Sequence, residues 1–332
     1  MKKIAINGFG RIGRAALKIA FTKKDIEVVA INDLTDAKTL AHLLQYDTAY
    51  GRYQNKVEAG EHSLIVNGRE IPVYAEPDPK KLPWGDLGVD VVLECTGRFV
   101  KGDAMRLHIE AGAKKVILSA PAKEGGDVPT FLLGVNDDSY APDQQILSNA
   151  SCTTNCIAPV AKILQDAFGI EKAMMSTIHS YTADQNLQDG PHSDLRRARA
   201  AAGNIVPTTT GAAIAVTEVI PELKGLFDGL ALRVPTIVVS LTDFTFLLKR
   251  DVTVEEVNAA LKEAANAQRY QGVFTVTEEP LVSSDFIGNP YSSIADLTLT
   301  KVVGGNMVKV IAWYDNEWGY SNRLVEMAEL IA

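Results

Sequence analysis

Over the first 150 residues, short apolar runs alternate with amphipathic stretches, the pattern of strands interleaved with helices. Lys2-Lys3-Ile4-Ala5-Ile6-Asn7 predicts a short buried strand, the stretch from Arg14 to Phe21 a helix, and Ile26 to Asp33 a second strand. Ala37 to Leu44 is helical in period. Leu64 to Tyr74 carries Asn67-Gly68 in its middle, a hairpin turn signal. A buried strand resumes over Val89 to Gly97, a helix follows around Met105 to Ala111, and Lys115 to Ser119 is the next strand. This alternation predicts an α/β fold, a Rossmann-type doubly wound parallel sheet. Such sheets bind ligands at the carboxyl ends of their strands, where Gly8, Asp33, Thr96-Gly97 and Ser119-Ala120 all fall.

Past Cys156 the texture changes to longer strands rich in β-branched residues: Ala173 to Thr182, Leu230 to Val234, Ile237 to Leu248 and Val308 to Tyr314, with a helix near Val254 to Ala265. The expectation is an α+β second domain with a mostly antiparallel sheet. An amphipathic helix from Gly319 to Ile331 is expected to return to the first domain. The predicted division is therefore residues 1–150 completed by 316–332, against 151–315. No fixed-period repeat is present.

Composition narrows the function without naming it. With 46% hydrophobic and 22% charged residues and a formal net charge of −8, the chain has no electrostatic reason to bind nucleic acid or an anionic membrane. Cys95, Cys152 and Cys156 are too few for a disulfide framework, and Cys-x-x-x-Cys has no histidine or acid companions for zinc, so no metal is expected. No signal-peptide core follows Met1-Lys2-Lys3, and no apolar run approaches the length of about 18 residues that spans a bilayer. A cytoplasmic location is expected.

Two motifs carry chemistry. Gly8-Phe9-Gly10-Arg11-Ile12-Gly13 lies between a predicted strand and a helix: Gly8 for a tight turn, Gly10 for close approach of a pyrophosphate, Gly13 for helix–strand packing. Asp33 ends the next strand, where a carboxylate binds an adenosine ribose and repels a 2′-phosphate, so NAD is expected over NADP. The alternative for Asp33 is that it starts the turn at Leu34-Thr35. The second motif is Ser151-Cys152-Thr153-Thr154-Asn155-Cys156, which places a cysteine in the first turn of a helix that Gly169 stops. The helix dipole there favours a thiolate nucleophile, against the alternative of one more small buried residue. Of the five histidines, His179 at the end of a strand is the expected base.

These segments, with His179-Ser180-Tyr181-Thr182, Asp194 to Ala200, Pro207 to Ala212, Arg233-Val234-Pro235-Thr236 and Trp313 to Ser321, resemble the phosphorylating glyceraldehyde-3-phosphate dehydrogenase family over essentially the whole chain. The resemblance implies that Cys152 attacks the aldehyde, that His179 is the acid/base, and that a thioester is cleaved by inorganic phosphate. It implies two anion sites: Thr182 with Arg233, and Ser151, Thr153, Arg197, Thr210 and Gly211. For NAD it implies backbone contacts from Arg11 and Ile12, with Gly8, Gly10, Gly13, Asp33, Thr96, Gly97, Ser119 and Asn316 completing the site. Asn316 read alone is equally a helix cap, and Cys156 is read as structural. Pro77-Asp78-Pro79 departs from the family's Arg-Asp-Pro under the adenine, and Gly190 relaxes exclusion of a 2′-phosphate. The net expectation is NAD preference with weak NADP use. The resemblance also implies a homotetramer. The rival readings are an erythrose-4-phosphate dehydrogenase and a non-catalytic thiol redox or nucleotide-binding role.

Overall fold

The structure of the chain, a computed structural model, describes residues 1–123 and 127–332. Its contacts divide it into two compact units: 1–131, 139–150 and 321–332 form the first, 132–138 and 151–320 the second.

The first unit starts with β1 (Lys2–Asn7), α1 (Arg11–Ala20), β2 (Ile26–Asn32) and α2 (Ala37–Gln45). A meander of β3 (Val57–Ala59), β4 (Ser63–Val66) and β5 (Arg69–Tyr74) follows, with β4 and β5 joined at Asn67-Gly68, both at positive φ. The unit is completed by β6 (Val91–Glu94), α3 (Gly102–Glu110), β7 (Lys115–Leu118) and β8 (Ile146–Ser148). The sheet order is β8-β7-β6-β1-β2-β5-β4-β3. It is parallel from β8 to β5 and antiparallel through the meander. The central strands are buried on both faces, and one face packs Ala5, Val92, Val116 and Leu118 against Trp84 and Met105.

Two glycines make the β1–α1 turn possible. Gly8 has φ +91°, and a Cβ on it would lie 2.7 Å from the Cys95 carbonyl carbon and from the Thr96 nitrogen. At Gly13 a Cβ would stand 2.2 Å from the Gly8 carbonyl oxygen, a backbone atom that cannot swing aside. Gly13→Ala is expected to destabilise by about 1–3 kcal/mol, lowering the melting temperature by about 2–10 °C. An unchanged thermal melt would show that the turn relaxes without strain.

The second unit opens with α4 (Cys152–Phe168), stopped at Gly169, and β9 (Ile170–Ser180). Then come β10 (Val206–Thr208), α5 (Ala212–Val219), β11 (Phe227–Val234), β12 (Ser240–Leu248) and α6 (Val254–Asn266), which begins with a Thr253/Glu256 capping box. The last strands are β13 (Phe274–Thr277), β14 (Ser293–Asp296) and β15 (Met307–Tyr314). The sheet order is β10-β11-β9-β12-β15-β14-β13, with Lys301–Val303 on β15. Most pairings are antiparallel; β9 with β11 and β13 with β14 are parallel.

The C-terminal helix α7 (Trp318–Ile331) leaves the second unit at Tyr320 and continues in the first. The predicted division differs from the observed one in two places. Residues 132–138 group with the second unit because Arg269 donates to the carbonyls of Gly134 and Val135. Residues 316–320 stay there because Ser240 holds Asn316 and because Gly319 lies so close to the Tyr291 carbonyl that a Cβ would come within 2.6 Å of it. Among the described residues no helix is long and apolar enough to cross a membrane.

Candidate active site and nucleotide crevice

Cys152 begins α4, and the chain reaches it through Ala150, a non-glycine residue at φ +52°. Ser151 caps the helix, its Oγ accepting from the Thr154 N–H at 3.0 Å. On β9, residues alternate between faces, so Thr177 and His179 share the buried side. There His179 Nε2 lies 3.4 Å from Cys152 Sγ. The Tyr314 hydroxyl links Thr153 Oγ1 at 2.9 Å to Thr177 Oγ1 at 2.8 Å, tying the helix start to the strand. Its ring meets the imidazole edge-on with centroids 6.0 Å apart.

The parallel register of β9 with β11 pairs His179 with Arg233. Arg233 Nη1 is 2.9 Å from His179 Nδ1 and donates to the Ser180 carbonyl at 3.2 Å, while Nδ1 itself stands 2.6 Å from that carbonyl. With the ring proton on Nδ1 and donated to Ser180, the Nε2 lone pair faces the sulfur. Arg233 Nε is buried without a hydrogen-bond partner, a donor that an anion would satisfy.

Burial raises the Cys152 thiol above its ordinary value, against the pull of Arg233 and of hydrogen bonding to Thr153. It lowers His179 to about 3, and Arg233 adds to that lowering. A lone charge on either group is therefore opposed, which the helix position of Cys152 did not by itself reveal. Moving the proton from Sγ to Nε2 creates two opposite charges in contact, so the pair titrates as a unit. Cys156, one turn on, is fully buried against Ser293 and its thiol is pushed up to about 12 by burial, an inert environment.

The other expected anion contacts are arranged less simply. Thr182 has its N–H turned to Gln185 Oε1 at 3.4 Å, and the Thr210 Oγ accepts from the Ala212 N–H at 3.2 Å where Gly211 caps α5. Arg197 acts electrostatically on Arg233. Its guanidinium is also held by Asp184, by Asp194 at 3.5 Å and by Thr208 at 3.0 Å, so an anion there must displace a carboxylate. Asn316 does not cap α7. Asp315 does, accepting from the Glu317 and Trp318 N–H groups, while Asn316 Oδ1 accepts from Ser240 Oγ at 3.0 Å. The sequence alone assigns no role to Tyr314, Thr177 or Ser240; for Thr177 the available signal is its period-2 relation to His179 on one strand face.

In the first unit a crevice of about 370 Å³ opens over the carboxyl ends of β1, β2 and β6, lined in part by Asn7, Gly8, Gly10, Asp33, Pro77 and Thr96. The α1 N-terminus carries no side-chain cap and no acid in its first turn, and a Cβ on Gly10 would meet nothing within 4 Å. These features leave helix-end donors for a pyrophosphate. Asp33 Oδ2 accepts from the Phe9 N–H at 2.7 Å and Oδ1 from the Thr35 N–H at 2.9 Å, so it both holds the glycine loop and starts the next turn. Each oxygen keeps a lone pair for a ribose hydroxyl. Arg11, Ile12 and Gly13 form the first turn of α1, and Gly97 follows Thr96 at φ +68°. Ser119 lies outside the crevice lining, its side chain bonded to Cys95.

Comparison with known proteins agrees with this chemistry. Residues 2–102 match the glyceraldehyde 3-phosphate dehydrogenase NAD binding domain, and residues 151–316 match the C-terminal domain of the same enzyme. A glyceraldehyde-3-phosphate dehydrogenase of Thermotoga maritima is 58% identical over 333 residues, covering 100% of this chain and 99% of that protein. Relatives of the same name from Geobacillus stearothermophilus and Bacillus subtilis are each 57% identical over 331 residues, covering 99% of this chain and 98% of theirs. The chain belongs to the glyceraldehyde-3-phosphate dehydrogenase family, NAD-dependent oxidoreductases that act on an aldehyde.

Proposed function

We propose that the chain oxidises and phosphorylates D-glyceraldehyde 3-phosphate to 1,3-bisphosphoglycerate, with Cys152 as nucleophile and His179 as acid/base. The supporting observation is the 3.4 Å contact of Sγ with Nε2 at the start of a helix, beside an arginine with an unsatisfied buried donor. Sγ forms a bond to the aldehyde carbon, its proton passing through His179 to the carbonyl oxygen to leave a neutral thiohemiacetal. Nε2 then withdraws the hydroxyl proton as the C–H pair departs, and the C=O bond reforms as a thioester. Bound NAD supplies the hydride acceptor. After the imidazolium releases its proton, a phosphate oxygen attacks the thioester, the C–S bond breaks, and Sγ leaves as thiolate where the helix N-terminus stabilises it.

Arg233 and Thr182 are proposed to hold one phosphate; Ser151, Thr153, Arg197, Thr210 and Gly211 hold the other. The first unit is proposed as the NAD-binding domain, with Gly8 to Gly13, Asp33, Thr96, Gly97 and Ser119. Asn316, whose Oδ1 is occupied by Ser240, offers Nδ2 to the nicotinamide carboxamide. Exposed Leu187, Leu195 and Ile205 on the long segment after β9 support self-association, for which the family resemblance suggests a homotetramer, and a cytoplasmic location is proposed with it.

The experiment is NADH formation from glyceraldehyde 3-phosphate with and without inorganic phosphate. Sustained turnover that requires phosphate is expected. Turnover that continues without phosphate would overturn the anion sites and favour a hydrolytic, erythrose-4-phosphate-type reaction.

A further inference from the structure

Beneath the crevice lies a carboxylate that the reaction does not use. Glu94, the last residue of β6, and His108 of α3 are both 0% exposed. Strand register sets Glu94 beside Asn7 and Asn7 beside Asn32, a polar row across the ends of β6, β1 and β2. The row is bonded in one direction. Glu94 Oε2 accepts from Asn7 Nδ2 at 2.5 Å, Asn7 Oδ1 from Asn32 Nδ2 at 2.7 Å, and Asn32 Oδ1 from the Glu76 N–H at 2.9 Å. The other oxygen, Oε1, accepts from the Thr96 N–H at 2.8 Å and from the Thr96 hydroxyl, which in turn accepts from the Arg98 N–H at 3.0 Å.

The remaining partner fixes the direction of the row. Trp84 Nε1 donates to His108 Nδ1 at 2.9 Å, and an indole can only donate, so the neutral ring carries its proton on Nε2 and gives it to Glu94 Oε2 at 3.1 Å. The imidazole also packs edge-on against Phe99 of the crevice wall, with centroids 6.2 Å apart. Both Glu94 oxygens are thus saturated by four neutral donors, and if the carboxylate became an amide the donors on one of its two sides would lose their acceptor.

We propose that Glu94 is a positioning residue for the NAD site: through Thr96 and the Asn7–Asn32 row it holds the strand ends that receive the nucleotide, with its own orientation locked by His108 and Trp84. The proposal rests on the NAD-binding role of the first unit. Asn7, Asn32, Glu76 and Thr96 all line the crevice, whereas Glu94 and His108 do not reach it. Glu94 therefore acts only by setting the geometry of groups that do.

Glu94→Gln keeps the shape but turns one acceptor into a donor facing either Asn7 and His108 or Thr96. Calorimetry is expected to give a Kd for NAD raised about tenfold, with kcat at saturating NAD and KM for the aldehyde within twofold of the parent. In the cofactor-free protein, Trp84 emission is expected to shift as His108 loses its acceptor. A lowered melting temperature with an unchanged Kd would reduce Glu94 to a structural role and overturn the proposal. If Glu94→Gln does not fold, His108→Phe removes one donor while keeping a ring against Phe99. Its Kd is expected to rise about threefold, and an unchanged Kd would overturn the proposal equally. Failure of the parent chain to bind NAD would instead overturn the cofactor reading on which the proposal stands.

Discussion

Replacing Cys152 by serine is expected to reduce NADH formation by about 10⁴-fold or more. The hydroxyl would occupy the place of Sγ, 3.4 Å from Nε2. A thiol can be ionised by an adjacent imidazole because its ordinary pKa is only a few units above that of histidine. A serine hydroxyl has no such proximity in acidity, and among the described residues no carboxylate is bonded to Nδ1 to stabilise an imidazolium: its neighbours are the Ser180 carbonyl and cationic Arg233. The acyl step suffers as well, since an ester oxygen leaves less readily than a thiolate when phosphate attacks. Serine is smaller than cysteine and sits at a partly exposed helix start, so the fold should survive. The measurement is initial-rate NADH formation together with NAD affinity. NAD binding within about twofold of the parent is expected, because the crevice lining lies in the first unit. Turnover within tenfold of the parent would eliminate Cys152 as the nucleophile.

Replacing His179 by asparagine is expected to lower turnover at neutral pH by about 10²–10⁴-fold and to change how thiol reactivity depends on pH. In the parent, proton transfer within the Cys152–His179 pair makes thiolate without creating net charge, so iodoacetamide should alkylate Cys152 readily at neutral and mildly acidic pH. In the variant the thiol stands alone, and burial holds its pKa above the ordinary range despite Arg233. Thiolate then forms only as pH rises, and the alkylation rate should climb about tenfold per pH unit through the neutral and mildly alkaline range. The sign is what matters: burial disfavours the anion, so loss of the partner shifts the reactivity curve to higher pH. Identical alkylation profiles for parent and variant would show that the helix terminus and Arg233 suffice to make the thiolate, and His179 would lose its role in activating it.

Much of the frame was legible along the chain. Gly8, Gly10 and Gly13 fall in the strand–turn–helix context that their pattern requires, and the φ of +91° at Gly8 is the conformation that only glycine takes without strain. The Asn67-Gly68 hairpin and the Gly169 helix stop were equally readable, each depending on the backbone preferences of one or two residues. The start of α4 at Cys152 followed from Ser151 and the spacing of the apolar residues after it. In each case the signal is a preference of a few residues close together along the chain.

What the sequence did not disclose depends on register between distant segments. His179 and Arg233 meet because β9 and β11 pair in parallel across 54 positions, and a shift of one residue would turn the arginine to the opposite face. Glu94, Asn7 and Asn32 are unremarkable polar residues ending three separate strands until pairing lays them side by side. The same holds for Asp33, whose bond to Phe9 spans 24 positions, and for Arg197, which looks like part of a solvated charge run until Asp184 and Asp194 close on it. The sequence by itself therefore determined the order and type of the elements, the doubly wound sheet and the place of Cys152 at a helix start, because turn chemistry and hydrophobic period are local properties. Only the tertiary structure decided which donors face which acceptors and which charges lose water, because burial and strand register arise when segments tens to hundreds of residues apart pack together.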